Sequence, residues 1–405
     1  MPRLWIFVAL LVPSVCRAQV TGTFSLDKTT FARGEPVFLR LTLHNDGDEP
    51  EEIRTADPYS FCSDYEIHIT REGSPNPACS QGYGGSCPSG AIMLPPHGSH
   101  TERILLNYQN DSRGDLGAPV EIPGDYTIDA TREINYAPRS ADSRVFTNPD
   151  HGQVHQVFRL RVDDALQLDP GIYEPYVQQL GSKDDQVHRE AARTLATFAP
   201  PALEPLLLTF ATSDDYVLKQ FAPLALANLS TKASLSALAQ MLLHTTPGTY
   251  ESMTAAEKLG RTHDPSWFPV LLAVADQHGA MYLSYAAESG GEEAIPALLA
   301  RLRTKDSNIR SSAIYALGKT GSRAAIPILI SLLGPQVNQT EEDAQNAALS
   351  ANAALMQLTH LYAEQGPSGA LIPSWHSRWQ QWWLTSGSTA NVYKPGECVA
   401  DTKLP

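Results

Sequence analysis

The residues best able to do chemistry in this 405-residue sequence are five cysteines, two histidine pairs and two aspartate pairs, and their spacing limits what each can do. Cys79 and Cys87 stand eight apart, with no second Cys-x-x-Cys and no nearby paired histidine, so the spacing of a zinc site is absent. With Cys16 set aside in the N-terminal segment 1–18, Cys62, Cys79, Cys87 and Cys398 form an even set, and an even set in an exported chain reads as disulfides with three possible connectivities. Pairing Cys79 with Cys87 clips the Gly-, Ser- and Pro-rich stretch Ser74 to Gly90 and leaves Cys62 for Cys398. The competing choice joins Cys62 to Cys79 or Cys87 across neighbouring strands.

His151 and His155 would share one face of a helix, as a metal pair does. They lie beside strand alternation instead, where four residues span about 13 Å, too far for one ion. His97 and His100 lie at a turn and read as solvated side chains. Asp184-Asp185 and Asp214-Asp215 look like paired carboxylates, but each pair opens a helical stretch, where an Asp caps the first turn and complements the helix dipole. Gly-x-Ser-x-Gly, Walker and His-Glu-x-x-His patterns are missing from the sequence. The expectation is a chain with no catalytic residue, no metal and no cofactor.

Arg3, the apolar run Leu4 to Val12 and the small residues before Gln19 have the form of a secretory signal peptide over residues 1–18. Val15 is too large for the small-residue position that acylation of Cys16 would need. Nine apolar residues fall short of the roughly 20 that span a bilayer, and no later stretch comes closer, so no integral membrane segment is expected. The mature chain is expected to be periplasmic or extracellular. Formal net charge is −14, and removing residues 1–18 with Arg3 and Arg17 makes it −16. An acidic balance argues against nucleic acid, whose binding rests on neutralising phosphates.

The elements that carry these residues change character at mid-chain. From residue 19 to 165 the period is two: Leu39, Leu41 and Leu43; Tyr65, Ile67 and Ile69; Tyr126, Ile128 and Ala130; Phe158, Leu160 and Val162. Such alternation predicts strands with one buried face, separated here by turns at Arg33-Gly34-Glu35-Pro36, Asn45-Asp46-Gly47, Pro95-Pro96-His97-Gly98 and Pro123-Gly124-Asp125. Gly34-Glu35-Pro36-Val37, Leu94-Pro95-Pro96-His97-Gly98-Ser99 and Pro123-Gly124-Asp125-Tyr126 resemble immunoglobulin-like bacterial modules, which implies a β-sandwich.

From 170 to 385 the period is helical and the sequence repeats. Asp306, Ile309, Arg310, Ala313, Leu317-Gly318, Ala325-Ile326-Pro327, Leu329 and Leu332 mark the clearest unit. Gly260 to Pro269 and Ala287 to Pro296 keep the spacing of Gly318 to Pro327, and Val187, Ala191, Ala192, Leu195 and Pro205 hold matching offsets. About six copies near a 30-residue spacing resemble HEAT repeats, in the short bacterial form of the phycobilin lyases. The resemblance implies an α-solenoid in which Asp306 and Arg310 link neighbouring repeats. It brings no recognisable pigment site, and fold does not fix function.

Trp375, Trp379, Trp382 and Trp383 fall on one helical face, either as a solenoid cap or as an aromatic binding patch. Residues 386–405 read as a polar tail. The fold class expected is therefore all-β plus all-α, an immunoglobulin-like sandwich followed by the solenoid. The leading function is an exported, non-enzymatic scaffold whose solenoid surface binds a protein or peptide. The rivals are an enzyme accessory or inhibitor acting through loop 74–90, and a carbohydrate- or envelope-binding module with Tyr59, Phe61, Tyr65 and Tyr83 as platform.

Overall fold

The computed structural model describes residues 20–55, 65–73, 90–107, 120, 122–138, 150–334, 341–362, 375–387, 389–393 and 402–404. It divides into two compact units, Met1–Leu168 and Asp169–Pro405.

In the first unit the period-two stretches become β1 (Val20–Leu26), β2 (Thr30–Ala32), β3 (Phe38–Asn45), β4 (Glu51–Thr55), β5 (Tyr65–Arg71), β6 (Gly90–Leu94), β7 (Ser99–Leu105), β8 (Gly124–Pro138) and β9 (Asp150–Asp163). One antiparallel sheet runs β1-β3-β7. The other runs β2-β9-β8-β4-β6, with β5 also paired to β8. Its short strand β2 lies parallel to β9, while β8 and β9 pair antiparallel. Phe24, Leu39, Leu41, Leu43 and Ile104 of the first sheet are buried, as are Ile67, Ile69, Tyr126 and Ile128 of the second. The faces meet where the Phe24 ring lies 6.4 Å from that of Tyr65. A two-layer β domain results, with alternate residues inward as the pleat dictates. The Arg33–Pro36 turn uses Gly34 at φ +83°, and the Glu35 carboxylate behind it accepts from the Ala32 N–H at 2.9 Å.

The second unit opens with α1 (Glu174–Gln179). Six antiparallel pairs follow: α2 (Asp185–Phe198) with α3 (Glu204–Phe210), α4 (Tyr216–Leu229) with α5 (Lys232–His244), and α6 (Tyr250–Gly260) with α7 (Phe268–His278). Then come α8 (Leu283–Gly290) with α9 (Ile295–Leu302), α10 (Ser307–Lys319) with α11 (Ala325–Leu332), and α12 (Glu341–Thr359) with α13 (Trp375–Trp382). Each first helix is followed by one residue in the left-handed region, the usual way to stop a helix and reverse the chain. These residues are Ala199, Ser230, His263, Gly291, Gly321 and His360, with φ between 39° and 59°. Pro205, Pro269 and Pro296 then occupy first-turn positions of the second helices, where a missing N–H leaves nothing unsatisfied.

First helices stack backbone against backbone. A Cβ on Gly318 would stand 2.8 Å from Ala354 Cα, and one on Gly260 would stand 2.9 Å from the Tyr285 carbonyl oxygen. Glycine is required at both places by the closeness of the next helix. The apolar stripes form long buried clusters, one running from Leu226 to Leu404.

The four tryptophans do not lie outside the array. Helix α13 is the second helix of the sixth pair, with Trp375, Trp379 and Trp382 buried in the core and Trp383 half-buried against it. The Trp379 indole N–H donates to Asn352 Oδ1 on α12 at 2.9 Å.

The described parts of 386–405 differ from the expected polar tail, because they are bound to the last pairs. Arg323 donates to the Gly387 and Ala390 carbonyls, and the Tyr393 N–H donates to the Leu358 carbonyl at 2.9 Å. Strand β11 (Thr402–Lys403) pairs in parallel with β10 (Leu361–Tyr362), which buries Leu404. Two arginines donating to its carbonyls, a short backbone pairing and a few scattered apolar side chains hold the segment, a signal too short to stand out in a polar sequence.

Candidate functional site

The cysteines Cys62, Cys79, Cys87 and Cys398, the loop 74–89, and Tyr59, Phe61 and Tyr83 lie outside the described residues. Tyr65 corrects the aromatic-platform reading. It is buried between the sheets, and its hydroxyl donates to the Glu102 carboxylate. Burial, then the Glu102 charge, pushes the phenol well above its usual value. The Arg132 guanidinium stacks on that ring at 4.7 Å and donates to the Glu133 and Arg54 carbonyls. This cluster is interior structure.

His151 and His155 point outward from β9, each paired across to β8, with Asn135 at 2.6 Å and Asp129 at 2.8 Å. His97 at its turn pairs with Asp48, while His100 lies on β7. Asp184, Asp215 and Asp306 each accept two N–H groups at the start of a first helix. Asp215 also links repeats, its carboxylate 3.2 Å from His188 Nε2 on the preceding first helix. Burial alone would raise that carboxyl, but the Leu218 amide, His188 and the Val217 amide hold it below the ordinary value. Arg310 pairs with Asp343 of the next first helix at 3.0 Å. Among the described residues, no group of three or more His, Cys, Asp or Glu could hold a metal ion, and no helix is long and apolar enough to cross a membrane.

The site that residue-by-residue reading missed is a polar seam along first helices α6, α8 and α10. Arg261, Glu288 and Lys319 each stand eight residues before the proline of their pair, at equivalent positions with alternating charge. Twelve residues before the same prolines stand Glu257, Ser284 and Tyr315. The signal was available, because stacked repeats place equivalent residues side by side. It needed the copies to be aligned and compared at their polar positions.

Arg261 pairs with Glu257 one turn earlier at 3.0 Å. Lys319 lies over the Tyr315 ring, 5.6 Å from its centroid. Tyr285 is half-buried beside Glu257, Arg261 and Glu288, and burial foremost pushes its phenol up to about 12. Glu288 is 7% exposed. Burial raises its carboxyl pKa against the opposing pull of Lys319, Arg261 and His263. Between α8 and α10 the seam opens into a groove of about 360 Å³ lined by Ala280, Met281, Ser284, Ser311, Ser312 and Tyr315. This arrangement presents hydroxyls, one aromatic face and fixed charges of both signs. It has no nucleophile–base pair, and suits recognition of a polar ligand.

Residues 173–253 and 280–350 match the family of HEAT repeats, and the helical unit is an array of such repeats. Among solved structures, the complex of CpcE and CpcF of phycocyanin lyase from Nostoc sp. PCC7120 is 18% identical, over 48% of this chain and 90% of that one, with a TM-score of 0.31. Native alpha-2-macroglobulin from Escherichia coli is 11% identical, over 82% of this chain and 62% of that one, with a TM-score of 0.19. Salmonella alpha-2-macroglobulin reacted with methylamine is 13% identical, over 84% and 26%, with a TM-score of 0.17. These superpositions are too loose to carry any role across. No curated protein matches the chain.

Proposed function

From the premise of a HEAT-repeat array following a two-layer β domain, we propose that the chain is an exported, non-enzymatic scaffold that binds a protein through the first-helix face of its solenoid. The polar seam carries this reading. A repeat array needs small and apolar residues where its helices stack, and those positions are filled by Gly260, Gly318 and the buried alanines. Charged residue types at Arg261, Glu288 and Lys319 serve no such packing, and at Glu288 burial opposes the ionised form. Groups held against their own solvation preference mark sites more often than scaffolding. Export is supported by the signal-like residues 1–18, and in an exported chain the four later cysteines are expected to be disulfide-bonded.

Photo-cross-linking in the producing cell tests the proposal, with a reactive residue at Ser312 in one strain and at Thr127 on β8 in another. Mass spectrometry should find a protein adduct through position 312, on a chain that begins near Gln19. Adducts confined to position 127 would move the function to the β domain. A product retaining Met1 would remove the export reading and, with it, the disulfides.

A further inference from the structure

The groove between α8 and α10 continues, one helical turn along, into two charged side chains that make no hydrogen bond or ion pair among the described residues. Ser284 and Glu288 share a face of α8 at i and i+4, and Tyr315 and Lys319 do the same on α10. Among the described residues the Glu288 carboxylate accepts no hydrogen bond and joins no ion pair; the residue is more than nine-tenths buried, and its carboxylate oxygens are the part that stays open to the groove side. The Lys319 ammonium has only the Tyr315 ring. Lys319 is nonetheless the charge that acts most strongly on Glu288. Opposite charges therefore face the same space from neighbouring helices without closing on each other. In the groove beside them, the Ser311 and Ser312 side chains make no hydrogen bond among the described residues.

A carboxylate on a mostly buried residue has lost much of its hydration, and a donor brought to its open side would recover part of that cost. One group able to complete both sides must donate to Glu288 and accept from Lys319, and remain neutral so that neither charge is left over. A peptide unit does this, with its N–H toward the carboxylate and its C=O toward the ammonium. The flanking residues fit the same occupant. Serine hydroxyls donate to or accept from neighbouring main-chain groups, and Met281, 52% exposed, adapts to whatever side chain passes.

We infer that this groove binds a stretch of extended polypeptide by its main chain, with Glu288 and Lys319 holding one peptide unit between them and Ser311, Ser312 and Tyr315 lining the adjoining residues. The inference rests on the scaffold reading and narrows it to one partner chemistry. Recognition then depends weakly on the partner's side chains and strongly on its amides.

The full-length chain, labelled at its methionine methyl groups, provides the test, with the Met281 signal assigned by Met281→Leu. The probe is a pool of acetylated, amidated octapeptides of mixed Ser, Ala and Gly, titrated beside the same pool N-methylated at alternate amides. The Met281 methyl should shift with the first pool. Affinity should fall about tenfold or more on N-methylation, and again in Glu288→Gln and Lys319→Met, the scale of one hydrogen bond to a charged group. Both variants leave the stacking positions of the repeat intact, and an unchanged methyl spectrum in the remaining methionines verifies this. Equal shifts from both pools, or an unmoved Met281, overturn the inference, as do shifts produced by maltoheptaose in place of peptide. If cellular adducts form at position 312 while these peptides fail, the scaffold stands and main-chain recognition falls. If neither occurs, both fall.

Discussion

The β domain and the repeat array both bury charge, and they treat it in opposite ways. Between the sheets, Arg132 is fully buried, yet its guanidinium has two carbonyl acceptors and an aromatic face, and the neighbouring Tyr65 hydroxyl has the Glu102 carboxylate. In the array, Glu288 is nearly as deep as a residue, yet its carboxylate accepts no hydrogen bond among the described residues and keeps its oxygens open to solvent. A paired buried charge fixes which strands meet in which register, because any slip strands it. An unpaired one fixes nothing within the chain. Its presence makes sense through something that arrives later.

If the β-domain cluster is structural, breaking it should be the largest polar effect in the molecule. Arg132→Ala should lower the stability of the unfolding transition of that unit by about 3–5 kcal/mol, read from denaturant melts of the full chain followed by near-ultraviolet circular dichroism. Trp379→Ala should be similar in size for the array, about 3–5 kcal/mol, since it empties a fully buried ring and leaves Asn352 without its donor. An unshifted transition for Trp379→Ala would return the tryptophans to the role of an exposed patch. Next in size is Tyr65→Phe, which takes the hydroxyl donor from Glu102 and should lose about 1–3 kcal/mol in the β-domain transition. A loss near zero would erase the contrast between the two regions.

Much of this architecture was legible because its signals are local and repeated. Alternation in Leu39, Leu41 and Leu43 depends only on the pleat, and the offsets from Val187 to Pro205 and from Ile309 to Pro327 depend only on how one pair stacks on the next. The turn residues were partly hidden. Six positions require the left-handed region, but glycine fills only Gly291 and Gly321, while Ala199, Ser230, His263 and His360 accept the strain. The bound tail was hidden too, since Leu404 and a two-residue strand leave no periodicity. Tyr65 carried two conflicting readings, and the alternation with Ile67 and Ile69 that puts it inward holds over the aromatic platform; its hydroxyl gave no hint of Glu102 on the other sheet. The seam was overlooked for a different reason. Repeats are recognised by the residues that stay alike, and Arg261, Glu288 and Lys319 are the ones that differ.

A smaller effect concerns how one repeat is pinned to the next. Asp215→Ala removes the cap of α4 and the contact to His188, and should lower the array's stability by about 1 kcal/mol. Asp215 has a depressed carboxyl pKa in the folded chain, so its contribution is present above the ordinary Asp value and disappears as pH falls through the lower folded value. The difference between parent and variant should therefore vanish in acid. Melts between pH 2 and 7 would show whether it does.

The smallest expected change has the opposite sign and separates the two treatments of buried charge most cleanly. Glu288 has a raised carboxyl pKa, with burial the main cause and Lys319, Arg261 and His263 opposing it. Below the ordinary Glu value, folded and unfolded chains both carry the proton and the group is neutral in the balance. Between that value and the raised folded one, the folded chain binds more protons, so stability falls as pH rises, and the full penalty persists above. Glu288→Gln keeps the shape and discards the charge. It should match the parent in acid, where the parent carboxyl is already protonated, and melt above it at pH 7. Gaining stability while losing peptide affinity is the mark of a group retained for binding at the expense of the fold. Tyr65→Phe provides the contrast, since it should only lose stability. A Glu288→Gln variant that melts below the parent at pH 7 would mean that Lys319 or Arg261 depends on the carboxylate for structure. The seam would then be interior wiring like the β-domain cluster, and the distinction between the two regions would collapse.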